Sequence, residues 1–337
     1  MVFLPLWFNN KPSQRQTAMF LASLIAVAIV LVMIAGCPKQ QEPLLRVATN
    51  IWPGYETLYL ARSLGYYDEH QIRLIEMASS IQVSQALRNG TLEAGCLTLD
   101  ETLSLMQDGV DLRVVLIMDF SHGADVVVAQ RGISGLPALR GKRVGVENAA
   151  VGAIMLDAAL ERGGVEAKDV TIIPLTVDEH YAAFKAKKVD AVVTFEPVRT
   201  LLLKAGGMVI FDSSLIPGRI VDVLVVRPEV EAAHAQGLKI LLQGHFRAIE
   251  YLATQPQDAA LRMTPRLNGD ALKQFMGLRL PDVQENRALL AGTAPGLLST
   301  ARALADLMLR RQLLQLPVAT ERLADPNYLP RDINANI

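Results

Sequence analysis

A long apolar run opens the chain, and short apolar stretches alternating with helix-spaced segments follow it. Ala18–Ala35 is an uncharged apolar segment of 18 residues that ends in Ile34-Ala35-Gly36-Cys37. Beyond it, brief runs rich in β-branched residues predict strands at Leu44–Thr49, Ile72–Met77, Ala94–Leu97, Arg113–Met118 and Asp125–Ala129. Further strands are predicted at Arg143–Val146, Thr171–Leu175, Ala191–Thr194, Met208–Phe211 and Val221–Val226. Helix-start signals follow many of them. The spacing predicts a helix near Glu56–Leu64 after Asn50-Ile51-Trp52-Pro53-Gly54-Tyr55. Ser79-Ser80-Ile81-Gln82, Thr98-Leu99-Asp100-Glu101 and Thr176-Val177-Asp178-Glu179 read as capping boxes, in which hydroxyl and carboxyl side chains satisfy the first free N–H groups of a helix. Asn148-Ala149-Ala150-Val151-Gly152 opens a helix running to about Arg162, and Pro197 suits a first helical position. From Glu229 onward the pattern is mainly helical, with Leu238, Leu241, Leu242, His245, Ile249 and Leu252 on one face and Leu297, Ala301, Leu304, Ala305 and Met308 on another.

Alternating strands and helices predict an α/β fold with largely parallel sheets. Ligands of such sheets bind beyond the carboxyl ends of the strands. That rule gathers Trp52, Tyr55, Ser79, Ser80, Thr98, Asp119, Phe120, Ser121, Ala149, Ala150, Thr194, Phe195 and Glu196 around one cleft. Plainer roles compete at each position. Ser79, Thr98 and Thr176 serve as caps, Asp100 and Asp178 suit first turns through the helix dipole, and Asp125 and Asp222 brace a crossing between lobes.

The apolar lead, with Lys11 and Arg15 before it and small residues at its end, has the layout of an export signal. Its Ile-Ala-Gly-Cys ending resembles a bacterial lipobox. The resemblance implies that residues 1–36 are a signal peptide, that Cys37 is acylated, and that the mature chain is lipid-anchored on the periplasmic side of a bacterial membrane. An uncleaved membrane anchor is the competing reading, since a run of this length nearly spans a bilayer. Both place the rest of the chain outside the cytoplasm. Residues 37–43 read as a polar tether, and the remainder is long enough for two lobes. A net charge of -1 leaves no electrostatic footprint for nucleic acid. The chain has two cysteines, so with Cys37 lipidated Cys96 has no partner and reads as a small buried side chain. No His/Cys spacing suggests a metal site, and no G-x-S-x-G elbow or P-loop is present.

Asn50-Ile51-Trp52-Pro53-Gly54-Tyr55, with Leu60-Ala61 and Gly65-Tyr66-Tyr67, is similar to the start of periplasmic binding proteins of the nitrate/sulfonate/taurine and thiamine-precursor ABC importers. Gly123–Ala129, Leu139–Val146 and Asp190–Pro197 resemble that family's crossover strand, second-lobe start and aromatic-Glu-Pro strand end. The resemblance implies a type II periplasmic-binding fold with lobe 1 at 44–124 plus 225–337 and lobe 2 at 125–224. Two crossover strands, near Asp125–Ala129 and Asp222–Val226, would form the hinge. It further implies a monomer without cofactor or catalysis that closes on a small-molecule ligand and docks on a permease served by a cytoplasmic ATPase. A ligand-sensing subunit for a membrane receptor needs the same closure. The family's thiamine-precursor branch includes a pyrimidine synthase of similar fold, but its Cys-rich motif has no counterpart here.

Two ligand classes remain open. A small anion (sulfonate, nitrate or bicarbonate) would use the helix start at Asn148–Gly152 and the hydroxyls of Ser79, Ser80 and Thr98. A cationic or neutral nitrogenous solute, such as an amine or a pyrimidine thiamine precursor, would use Asp100, Asp119, Glu147, Asp178, Glu196 and Asp222, with Trp52, Tyr55, Phe120 and Phe195 stacking on it. The acids outnumber nearby Lys and Arg, which favours the nitrogenous class, with Glu196 as the key residue.

Overall fold

The structure is a computed structural model, and it describes residues 42–147, 150–267, 270–292 and 296–334, with Gln14, Arg15, Met19 and Ser23 before them. Met1–Glu42 and Pro43–Ile337 are separate units. The expected signal peptide, Cys37 and most of the tether lie outside the described residues.

In the second unit, strands and helices alternate much as the pattern predicts. The first half holds β1 (Leu45–Thr49), a 3-10 turn (Pro53–Tyr55), α1 (Glu56–Ser63), β2 (Ile72–Glu76), α2 (Ser80–Arg88), β3 (Ala94–Thr98), α3 (Leu99–Gln107) and β4 (Arg113–Ser121). Then come β5 (Val126–Ala129), β6 (Arg143–Val146), α4 (Ala150–Gly163), β7 (Thr171–Pro174), α5 (Val177–Lys185), β8 (Ala191–Thr194), α6 (Val198–Lys204) and β9 (Met208–Asp212). β10 (Val221–Val226) leads into α7 (Ala235–Thr254), α8 (Pro256–Leu267), β11 (Leu278–Arg279), α9 (Val283–Leu290) and α10 (Gly296–Arg310).

The strands form two sheets, ordered β11-β4-β10-β3-β1-β2 and β7-β6-β8-β5-β9. β1, β2 and β3 run parallel, and β10 lies antiparallel between β3 and β4. In the second sheet β6, β7 and β8 run parallel, and β5 lies antiparallel between β8 and β9. The inserted strands are the ones the chain enters on crossing between sheets. This is the type II periplasmic-binding architecture. One boundary moves: the expected edge between residues 224 and 225 falls inside β10, which pairs with β3 and β4 from Val221 or Asp222 onward and so belongs whole to the first sheet.

Period-two alternation explains why these strands are apolar throughout. Val221, Val223 and Val225 enter one core cluster, and Leu224 and Val226 enter the cluster on the opposite face. Val127 and Ala129 likewise face away from Val126 and Val128. Helices cover both faces of each sheet, the arrangement that such doubly apolar strands require. The helical spacing of Leu238, Leu241, Leu242 and His245, and of Leu297, Ala301, Leu304, Ala305 and Met308, corresponds to the buried faces of α7 and α10.

The crossing between sheets is tied by short polar contacts. Ser121 Oγ lies 2.7 Å from Ser213 Oγ, and the Gly123 N–H donates to Ser213 Oγ at 2.7 Å. The Asp125 N–H donates to Ser121 Oγ at 3.2 Å. Gly277 packs against this segment with φ of 94°, and a Cβ there would lie 2.7 Å from Ala124 N, so only glycine fits.

Candidate functional site

A cleft of about 370 Å³, counting its open mouth, lies between the two sheets. Strand ends build it. Asn50 follows β1, Thr98 ends β3, Glu147 follows β6 and Phe195 follows β8, all at carboxyl ends. Asp222 and Asp125 reach the same edge from the amino ends of β10 and β5, because those strands run the other way. Trp52, Tyr55, Ser80, Glu101, Val151 and Ile220 complete the lining. The two halves touch across it. The Trp52 and Phe195 rings meet edge to face with centroids 5.3 Å apart. Ile154 of α4 enters the core cluster of the first sheet, and Arg311 after α10 pairs with Asp157 at 3.0 Å and Glu161 at 3.3 Å on α4.

The floor is made by the turn at Pro53–Tyr55 and by two facing aspartates. Asp119 on β4 and Asp222 on β10 are register partners. Trp52 Nε1 donates to Asp119 Oδ2 at 3.0 Å, and the Tyr55 hydroxyl donates to Asp222 Oδ1 at 2.5 Å. The remaining oxygens, Asp119 Oδ1 and Asp222 Oδ2, are buried without a protein donor. Like acids this near each other disfavour double ionisation. Burial pushes Asp119 up to about 7 against the opposing Trp52 hydrogen bond. Burial and then the Asp119 charge push Asp222 well above the carboxylate range. The Tyr55 hydroxyl is likewise pushed well up, by burial first and by Asp222 next.

Gly54 makes this arrangement possible. A Cβ on it would stand 1.8 Å from Asp119 Oδ2 and 2.7 Å from Trp52 Nε1. The turn is held from behind. The Thr57 hydroxyl donates to Gly54 O at 3.1 Å and accepts from His245 Nδ1 at 2.8 Å. Burial lowers His245 to about 3, so the ring stays neutral with its proton on Nδ1.

The cleft is acidic. Glu101, Asp125, Glu147 and Asp222 line it, and no Lys, Arg or His does so among the described residues. Burial raises Asp125 to about 6, and Glu147 to about 7 with help from Glu101. Asp125 Oδ2, Glu147 Oε1 and Asp222 Oδ2 are buried with no partner. Glu101 is raised by burial too, although it accepts the Thr98 N–H at 3.0 Å as part of a capping box. Among the described residues the acids form no group that could hold a metal ion.

Of the residues expected from sequence, Trp52, Tyr55, Ser80, Thr98, Glu147, Phe195 and Asp222 line the cleft. Asp119 stands directly behind it. Asp100 is fully buried in the first turn of α3, away from the lining, and burial followed by Glu101 lifts it to about 8. Ser79 is half-buried outside the lining, and Gln82 accepts from the Ala78 N–H at 3.0 Å instead of closing a box on Ser79. Phe120 alternates to the opposite face from Asp119, under the Arg279 guanidinium at 4.0 Å. Ser121 is spent on the crossing between sheets. Glu196 turns away from the cleft, where its carboxylate accepts from Thr200 N at 3.2 Å and Thr200 Oγ1 at 3.0 Å. Ala149 and the side chain of Ala150 lie outside the described residues. Sequence reasoning gave Asp125, Glu101 and Asn50 no ligand role. The first was read as a hinge brace and the second as a cap.

Comparison with known proteins agrees with this architecture. The sequence model described as NMT1/THI5 like matches residues 52–259. A Brucella abortus (strain 2308) protein, named as a candidate binding protein, is 24% identical over 246 residues, covering 70% of this chain and 76% of its own length. The periplasmic aliphatic sulphonate binding protein of Escherichia coli superposes with a TM-score of 0.69 at 18% identity, over 85% of this chain and 99% of that one. The desulfurization enzyme DszB superposes with a TM-score of 0.63 at 17% identity, over 85% and 97%. At such identities the likeness to solved structures is one of fold.

Proposed function

The chain belongs to the NMT1/THI5-like family, and on that premise we propose that it is an exported solute-binding protein that captures a small nitrogenous cation between two closing lobes. It passes that solute to an ABC permease with a cytoplasmic ATPase, and acylation of Cys37 holds it to the membrane. The observation that carries the ligand class is the cleft lining: Glu101, Asp125, Glu147 and Asp222 with Trp52, Tyr55 and Phe195, and no basic side chain among the described residues. In their ionised forms these acids repel an anion and one another in a low-dielectric space. A cation relieves that repulsion, and the aromatic rings add attraction through their negative faces. A sulphonate, the ligand named for the Escherichia coli protein, would meet charge of its own sign here.

Binding without catalysis fits the same residues. The fold also carries a desulfurization enzyme, so fold alone does not decide this. Cys96 on β3 is fully buried, and burial followed by Asp222 pushes its thiol well above the usual range. A thiol in that state is a packing group.

A thermal-shift panel on residues 38–337 tests the reading. One arm holds choline, other amines and aminopyrimidines; the other holds alkanesulfonates, nitrate and bicarbonate. A ligand at 100 times its dissociation constant adds about 2.7 kcal/mol, a shift of several degrees. Shifts confined to the cations are the expected result. Shifts confined to the anions would overturn the ligand class.

A further inference from the structure

We propose that the Asp119–Asp222 pair exchanges its shared proton for the captured cation, so that each binding event at the cleft releases a proton and binding weakens in acid. The inference rests on the cationic reading above and adds to it a linkage that the cleft lining alone does not require.

The pair is built for exchange. Its four carboxyl oxygens meet two fixed donors, Trp52 Nε1 on Asp119 and the Tyr55 hydroxyl on Asp222. The two oxygens left over belong to residues that face each other in register and have no other donor. A single proton between them completes the set. Asp222 lines the cleft while Asp119 is sealed beneath Gly54, so one end of the pair meets the ligand and the other does not. The surrounding groups offer no positive charge to take the proton's place. The turn presents Trp52 and Tyr55, β3 presents Cys96 and Thr98, α3 presents Asp100 and Glu101, and the second sheet presents Asp125 and Glu147. Behind the turn, His245 is neutral. A cation beside Asp222 therefore duplicates the charge that the shared proton supplies. Keeping both is unfavourable. The proton leaves through the cleft mouth to water, the pair takes its second negative charge, and the cation balances it. Ligand and proton exchange charge for charge, and no bond within the ligand changes.

The test uses choline, whose charge is permanent and which carries no acidic proton of its own. Calorimetric titrations near pH 7 in phosphate and in PIPES, buffers of different ionisation enthalpy and neither of them a net cation, count the protons released. About one proton per choline is expected. Asp119→Asn keeps an acceptor for Trp52 and a donor that holds Asp222 ionised, so its release should fall by about one proton relative to the unaltered protein, with any contribution from Glu147 common to both, while its melting curve stays cooperative. Asp222→Asn gives a second reading should that variant fold poorly. Choline binding without proton release, or release unchanged in both variants, overturns the exchange and leaves the cationic reading standing. Failure of choline and of every other ammonium in the panel overturns the cationic reading and the exchange with it. Infrared difference spectra of the free protein supply a ligand-free check: Asp100 and Glu147 keep their protonated-carboxyl bands in every protein, so a further protonated-carboxyl component present in the unaltered protein and missing from both variants is expected, and difference spectra without it overturn the shared proton.

Discussion

Adding a methyl group at Gly54 probes the floor of the cleft more sharply than any change to an acid. The new Cβ of Gly54→Ala would lie 1.8 Å from Asp119 Oδ2, 2.7 Å from Asp119 Cγ and 2.7 Å from Trp52 Nε1. Asp119 is fully buried and its Oδ2 has Trp52 as donor, so moving aside breaks that bond. Losing a hydrogen bond to a charged group costs about 1.5–3 kcal/mol, and overpacking adds about 1–3 kcal/mol. The total is about 2.5–6 kcal/mol, which for a domain of this size lowers the melting temperature by roughly 5–24 °C. Differential scanning calorimetry reads the effect directly. Gly244→Ala is the matched control: in the middle of α7 its Cβ would meet Ala61 Cβ at an ordinary 3.4 Å, and removing a helical glycine should stabilise by about 0.5–1 kcal/mol. In an Asp119→Ala background the Gly54→Ala penalty should shrink, because the clashing carboxylate is gone. A Gly54→Ala protein that melts with the unaltered one, or an undiminished penalty in that background, refutes the packing of Asp119 against this turn.

Other consequences are open to simple assays. Asp119, Glu147 and Asp100, raised to about 7, 7 and 8, hold protons in the folded state that the unfolded chain has already released above its ordinary carboxylate range near 4. Stability therefore falls as pH rises through about 7 to 8, a window in which the buried His180 and His245 are neutral when folded and mostly neutral when unfolded. A flat melting profile over that window contradicts the buried protons. Glu196→Gln should change ligand affinity by less than about twofold, since its carboxylate caps Thr200 outside the cleft. A tenfold loss in calorimetry would return Glu196 to the site. Arg311→Ala removes exposed ion pairs to Asp157 and Glu161 that join the two halves, worth about 0.2–1 kcal/mol each. It should weaken ligand binding by a few-fold in low salt and less in high salt, and salt-independent loss would argue against a charge latch. Cys37→Ala should release the protein from membranes or leave it unprocessed in cell fractionation, and normal processing would remove the lipid anchor from the proposal.

The fold was legible because ten of the eleven strands among the described residues carry their own signal; β11, two residues long in a segment read as helical, does not. β10 is apolar on both faces and β6 follows a turn, so local pattern is enough to place them. The site was legible only where one short segment held the chemistry. Trp52-Pro53-Gly54-Tyr55 announces itself as a loop of aromatics beside turn residues, and both rings reach the cleft. Its partners do not announce themselves. Asp119 and Asp222 meet only because β10 inserts antiparallel beside β4, a pairing over a long stretch of chain that no local pattern encodes. The insertion of β10 in the first sheet and of β5 in the second carries Asp222 and Asp125 to the ligand edge by their strands' amino ends, whereas the rule for parallel sheets points to carboxyl ends. Phe120 and Ser79 show the cost of a one-residue error. In a strand the neighbour of a buried site residue faces the other way, and at a helix start the side chains of Ser79 and Ser80 point in different directions. Glu196 misled because a first-turn acid next to an aromatic residue looks alike whether it caps Thr200 or meets a ligand.

Charge is the property on which the functional reading turns, and one comparison isolates it. The tightest-binding cation of the panel and its uncharged carbon isostere (for choline, 3,3-dimethylbutan-1-ol) fill the same volume and differ in charge alone. Isothermal titration of both should give a loss of at least about thirtyfold for the isostere, since a charge paired with a desolvated carboxylate is worth on the order of 2–5 kcal/mol. Equal affinities would mean that the carboxylates of Asp125, Glu147 and Asp222 do not select the solute, and the cationic reading would be wrong.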